Sequence, residues 1–152
     1  MERDLAQEKA ARARELFLSG YNCSQSVVAA FAPELGLSES VLLKLSSGFG
    51  GGMGCLRGTC GAVSGMCMVL SGLEGYDTPD DPAAKQRLYA RVQSLVAEFT
   101  SEFGTTNCRE LLALNGELAK SEPSERTPAY YLQRPCARYV SFAASRAKAL
   151  DP

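Results

Sequence analysis

Residues Cys60 to Leu73 set the terms on which this chain can fold. Ala62, Val63, Met66, Cys67, Met68, Val69 and Leu70 make the stretch apolar on nearly every side, and a helix without a polar face is stable only when other elements surround it. It is the expected central buried helix. Its surroundings are predicted to be helical too, because no segment shows the two-residue alternation of a strand. From Arg3 to Ser19 the apolar residues Leu5, Ala6, Ala10, Ala13, Leu16 and Phe17 recur at three- and four-residue spacing. That period predicts an amphipathic helix ending at Gly20.

The other elements follow from caps and breakers. A second helix is expected from Cys23 to about Ala32, and Ser38 caps a short third one through Val41, Leu42 and Leu45. Six glycines between Gly48 and Gly58 then demand a loop or a tightly turning backbone. Asp81 followed by Pro82 is a cap and first-turn pair, opening a long helix through Leu88, Val92, Leu95, Val96 and Phe99 to Phe103. A short helix is expected at Cys108 to Leu114, and a last one from Cys136 to about Leu150. Between Asn115 and Arg134, Gly116, Pro123 and Pro128 break the pattern into a long surface connection with a short helix near Glu117 to Lys120. The expected fold is all-α: a single domain over residues 1–152, a helical bundle of about six or seven helices with a Gly-rich loop.

A chain of 152 residues buries a substantial core without help from disulfides. Its 16 basic and 17 acidic residues offer no basic face to displace the counterions of a nucleic acid. The stretch from Met1 to Gly20 lacks the apolar core of a signal peptide, and no apolar run approaches the roughly 20 residues needed to span a bilayer. A cytoplasmic protein that is not membrane-embedded is the expectation. The absence of histidine removes Ser-His and Cys-His catalysis, His-ligated zinc, Rieske clusters and di-iron bundles built on Glu-x-x-His.

Six cysteines remain to be explained, and in a reducing compartment clustered cysteines more often bind metal or do redox work than form structural disulfides. Three directly follow a capping residue, in Asn22-Cys23, Thr59-Cys60 and Asn107-Cys108, and Cys136 follows Pro135. Asn22 with Gln25, and Asn107 with Glu110, have capping-box spacing. A helix start presents unpaired N–H groups and a positive dipole end, which favour thiolate over thiol. Cys23, Cys60, Cys108 and Cys136 are therefore predicted to form one electropositive sulfur site. Their separations of 37, 48 and 28 residues match no compact zinc or ferredoxin motif, so helix packing must gather them.

Four-cysteine ligation matches a [2Fe-2S] cluster, the leading content, and also tetrahedral zinc. Without a cofactor the same residues suit a thiol–disulfide oxidoreductase with Cys60 attacking, or a soft-metal carrier. Cys67 lies two turns along the helix from Cys60, roughly 10 Å, too far to resolve it; it reads as core packing. Cys55, in the glycine loop, stays open between packing and chemistry. The glycine run lacks the order of a phosphate loop, and Glu98 and Glu102 read as a solvated face. Tyr130, Tyr131 and Tyr139 are expected to cover the last helix. Arg109 and Arg138, one and two residues past a site cysteine, are the basic residues placed to meet sulfur-centred charge, although such arginines more often lie in solvent.

Asn22-Cys23, the run Ser47-Gly48-Phe49-Gly50-Gly51-Gly52-Met53-Gly54, the motif Cys60-Gly61-Ala62-Val63-Ser64-Gly65, Cys108-Arg109-Glu110-Leu111-Leu112 and Cys136 together resemble the redox-active protein family named for its C_GCAxxG_C_C pattern. The resemblance runs from about Gly20 to Ala144. It implies a small, largely helical protein with four family cysteines, redox activity, and genes often placed near those of transporters; the redox partner is unknown. Related sequence also stands beside the haem part of split-Soret cytochromes, which carry an iron–sulfur cluster. Cys55 and Cys67 are additions to the four-cysteine pattern. A homodimer, with ligands drawn from two chains, is compatible with it.

Overall fold

The computed structural model describes residues 2–147, and its architecture is all-α. Among the described residues nine helices follow one another: α1 (Glu2–Leu18), α2 (Cys23–Ala29), α3 (Ala32–Leu35), α4 (Glu39–Ser46), α5 (Gly61–Glu74), α6 (Pro82–Phe103), α7 (Cys108–Leu114), α8 (Pro128–Gln133) and α9 (Cys136–Arg146). A 3-10 turn at Ser47–Phe49 and a glycine turn at Gly50–Met53 connect α4 to the α5 region. The two helices beyond the expected seven, α3 and α8, both carry proline in their first turn. There proline's missing N–H costs nothing and its fixed φ suits the helix.

These prolines explain two corrections. The second helix stops at Ala29 instead of about Ala32, and α3 restarts around Pro33. The Lys9 ammonium stabilises the break: it donates to the Ala30 carbonyl at 3.0 Å and pairs with Glu34. In the long connection, Glu117–Lys120 forms no helix. Gly116, at φ 74°, turns the chain out of α7, and the helix of this region is α8, whose cap Thr127 accepts from the Tyr130 N–H. The last helix is described to Arg146, so its expected extension to Leu150 lies outside the described residues beyond Ala147.

The all-round apolar helix does lie at the centre. α5 packs against α2, α3, α6 and α9, and Ala62, Val63, Met66, Val69 and Leu70 are fully buried or nearly so. α1 lies mainly along α9, with α2 touching both. Phe17, Phe31, Phe99 and Val140 fill the space between these layers. Burying each such side chain stabilises the fold by about 1.5–3 kcal/mol. Among the described residues no helix is long and apolar enough to cross a membrane.

Candidate functional site: a cysteine-lined cavity

The two glycines of Cys60-Gly61-Ala62-Val63-Ser64-Gly65 bring the first two sulfurs together. A Cβ on Gly61 would stand 3.2 Å from Cβ of Cys23, and one on Gly65 would stand 3.0 Å from Cβ of Val27 and 3.1 Å from the Ser24 carbonyl. A side chain at either position would push α2 off α5 by a few tenths of an ångström. Cys23 opens α2 behind Asn22, whose Oδ1 accepts from the Gln25 N–H while the Gln25 side chain accepts from the Asn22 N–H. This is the capping box the spacing predicted. Cys60 departs from expectation by one position: it is itself the residue before the helix, and α5 begins at Gly61.

Cys108 is joined to Cys60 through the backbone. Thr59 and Asn107 form an isolated antiparallel bridge. Around it the Cys60 N–H donates to the Thr106 carbonyl at 2.8 Å, the Cys108 N–H to Gly58 at 2.6 Å and the Arg109 N–H to Arg57 at 3.3 Å. Asn107 caps α7 by accepting from the Glu110 N–H. The return half of that capping box is rerouted through Thr105, whose hydroxyl donates to the Glu110 carboxylate and accepts from the Asn107 N–H. Cys136 heads α9 behind Pro135, which provides no side-chain cap.

The glycine run is a left-handed turn. Gly51, Gly52, Met53, Gly54 and Cys55 all have positive φ, between 56° and 71°, closed by Cys55 N–H to Gly50 and Arg57 N–H to Gly51 hydrogen bonds. Glycine adopts this conformation without the Cβ clash that penalises other residues. Close approach is the second reason for glycine. A Cβ on Gly52 would fall 2.7 Å from both Cβ of Cys108 and the Gly58 nitrogen, and one on Gly50 would overlap the Asn22 side chain. The turn is thus pressed against two cysteine-bearing helix starts.

The four cysteines open onto one cavity of about 310 Å³, which Cys55 also lines. Cys67 lies elsewhere, half-buried against the core, where burial raises its thiol pKa. Three arginines reach the cavity wall, Arg57, Arg126 and Arg134, together with Tyr130 and Tyr139. Cys23 and Cys136 act on each other. The interaction with Cys23 holds Cys136 below the ordinary thiol range, with the charges of Arg134, Arg126 and Arg57 acting in the same sense against burial. The same interaction, with burial, drives Cys23 well upward. Burial pushes Cys60 up to about 12, although the Ala62 and Val63 N–H groups pull it down as a helix start should. Burial also raises Cys108, opposed by Arg57. The dipole effect read from the sequence is therefore present at Cys60 and is outweighed by desolvation, which disfavours any buried charge.

The cations at the sulfurs are neighbours in space and not in the chain. Arg109 is exposed and Arg138 lies over the Phe103 ring, whereas Arg57 donates to the Cys108 sulfur at 3.7 Å. Tyr130 and Tyr139, expected to cover the last helix, line the cavity as well. Tyr139 also packs edge-on to Phe103, and Arg126 lies over the rings of Phe17, Tyr130 and Tyr131. Thr127-Pro128 was the one local signal for this wall: it repeats the Asp81-Pro82 pattern and starts the helix that carries Tyr130.

The donor set can be tested against the metals it suggests. A mononuclear tetrahedral site with bonds near 2.3 Å needs its sulfurs about 3.8 Å apart in every pair. Among the described residues no three Cys, Asp or Glu side chains are gathered closely enough to hold a metal ion. A [2Fe-2S] cluster takes two thiolates on each iron, so it asks for two separated pairs. Four cysteines on one cavity meet that demand in number and softness.

An all-helical protein with a thiol-lined cavity is the class that this geometry defines. The family described as "Putative redox-active protein (C_GCAxxG_C_C)" matches residues 21–150, and the chain belongs to it. No curated protein and no solved structure matches the chain.

Proposed function

We propose that the cavity is a redox centre in which Cys23, Cys60, Cys108 and Cys136 hold a [2Fe-2S] cluster for electron transfer or redox sensing. The observation that carries this reading is the meeting of four cysteines, from four separate places in the chain, on one cavity that three arginines also reach. When bound, such a cluster supplies one-electron chemistry at sulfur-ligated iron. The chain's own part is to desolvate the site and to offset its negative charge with Arg57, Arg126 and Arg134. The left-handed turn fixes the cavity's shape against Asn22 and Cys108.

The interaction of Cys23 with Cys136, which holds the Cys136 thiol low, favours a second reading, two-electron exchange without metal. In that reading the attacker is not Cys60, whose thiol burial pushes up to about 12, but the Cys136 thiolate, which attacks a disulfide substrate, forming a mixed disulfide and releasing one thiolate. Cys23 then gives up its proton to the second leaving thiolate and attacks the Cys136 sulfur. The pair ends as a disulfide and the substrate leaves as one thiolate and one thiol.

Anaerobic purification with a visible spectrum and assays of iron, zinc and acid-labile sulfide separates these readings. Bands between about 320 and 600 nm that bleach with dithionite, with equal iron and sulfide, are the expected result. Replacing any of the four cysteines by serine then removes them, whereas Cys67→Ser lowers stability and keeps them. A metal-free protein whose thiols oxidise reversibly in a two-electron step establishes the dithiol instead. Stoichiometric zinc in a colourless protein overturns both and points to a structural or transporter-associated soft-metal role.

A further inference from the structure

Arg57 is tied down at every level. Its φ of 61° is one a non-glycine residue rarely adopts, at a cost of about 1–2 kcal/mol. Its N–H donates to Gly51 and its carbonyl accepts from Arg109. The side chain is buried, 5% exposed, and it forks: Nη1 donates to the Cys108 sulfur at 3.7 Å, and Nε donates to the Lys120 carbonyl at 2.8 Å. Strain held in place by surrounding bonds marks a position that the fold over-determines.

Lys120 belongs to the segment between α7 and α8, whose Ser121, Pro123 and Ser124 form one wall of the cavity. The segment has few apolar anchors, and polar contacts fasten it. Arg134 donates to the Ser124 hydroxyl at 2.9 Å and pairs with Glu117 at 3.7 Å. Arg126 donates to the Phe17 and Tyr21 carbonyls at 3.2 and 3.0 Å. Arg57 alone among these three touches a sulfur and the segment together.

Resting on the redox reading above, we propose that Arg57 is the positioning residue of this centre. One guanidinium offsets negative charge on Cys108 and fastens the 117–126 segment over the cavity. Adding an electron to the centre adds negative charge, so the guanidinium favours the reduced state and strengthens its own hold on the sulfur. A more oxidised centre holds Arg57 less firmly, and closure of the segment is thereby linked to redox state.

The test uses full-length Arg57→Gln and Arg57→Lys, with Arg109→Gln as an exposed control. It reads the midpoint potential of the centre and, in reduced metal-free protein, the rate of trypsin cleavage after Lys120, the carbonyl that Arg57 holds. Arg57→Gln is expected to shift the redox equilibrium about tenfold against reduction, about 59 mV for one electron, and to speed the cleavage at least tenfold. Arg57→Lys keeps the charge and loses the fork, so it is expected to restore the potential while cleavage stays fast; it decides the matter should the glutamine variant not fold. Unchanged cleavage in both variants, or a potential that Arg109→Gln shifts equally, overturns the proposal. A wild-type protein with no reversible centre defeats the redox reading and the charge role together, and the cleavage rate still decides whether Arg57 fastens the segment.

Discussion

Phe99 sits among rings: it meets Phe103, Tyr139 and Phe142 and is fully buried. Around Cys108 the neighbours are a glycine, backbone amides and a guanidinium. The first region is held by area removed from water, which any side chain of suitable shape supplies. The second is held by close approach and directed hydrogen bonds, for which few residue types qualify. Substitutions in the two regions are therefore expected to fail differently, the first by loss of stability and the second by loss of the site.

The largest effect tests the first half of that contrast. Phe99→Ala should cost about 3–5 kcal/mol in denaturant unfolding, yet leave the colour or thiol titre of the folded protein unchanged. Gly52→Ala should cost somewhat less, about 2–4 kcal/mol, because an added Cβ meets backbone that cannot shift and the residue's φ is left-handed. It should also abolish the site's redox signal by displacing Cys108. If the signal survived Gly52→Ala, the turn would be a scaffold like any other loop. Next is pH. Cys60 is raised from 9.0 to about 12, so the folded, metal-free protein keeps a proton that the unfolded chain loses. Stability is then full below about pH 9 and falls by about 1.4 kcal/mol per unit as pH rises from 9 towards 12. Urea unfolding at pH 8 and pH 10 measures it, and a flat profile would mean that Cys60 is not desolvated. Gly54→Ala gives the smallest effect, about 1 kcal/mol from φ alone, since the nearest atom to its added Cβ is 3.8 Å away.

The same contrast explains what could be read in advance. Core elements announce themselves locally: the periodicity of α1, the Asp81-Pro82 start of α6 and the all-round apolar character of α5 are properties of short windows. So are the capping residues that flagged Cys23 and Cys108. The sulfur partners are not local. Arg57 reaches Cys108 across 51 residues and Lys120 across 63, and no window holds those pairs. The glycine run signalled an unusual backbone, but its close approach to Asn22 and Cys108 involves residues far away in the chain. Desolvation is equally non-local, which is why the expected lowering at Cys60 became a rise.

The Thr59–Asn107 bridge gives the cavity a mechanical asymmetry. Cys60 and Cys108 hang from one hydrogen-bonded frame, and widening the gap between them means breaking backbone bonds. Cys23 and Cys136 stand on two helices, α2 and α9, that share no backbone hydrogen bond among the described residues. Any change in sulfur spacing on oxidation or loading is therefore carried by these two helices. Because α1 lies along α9 and also touches α2, such a displacement would be passed to the outer face of the molecule, well away from the sulfur.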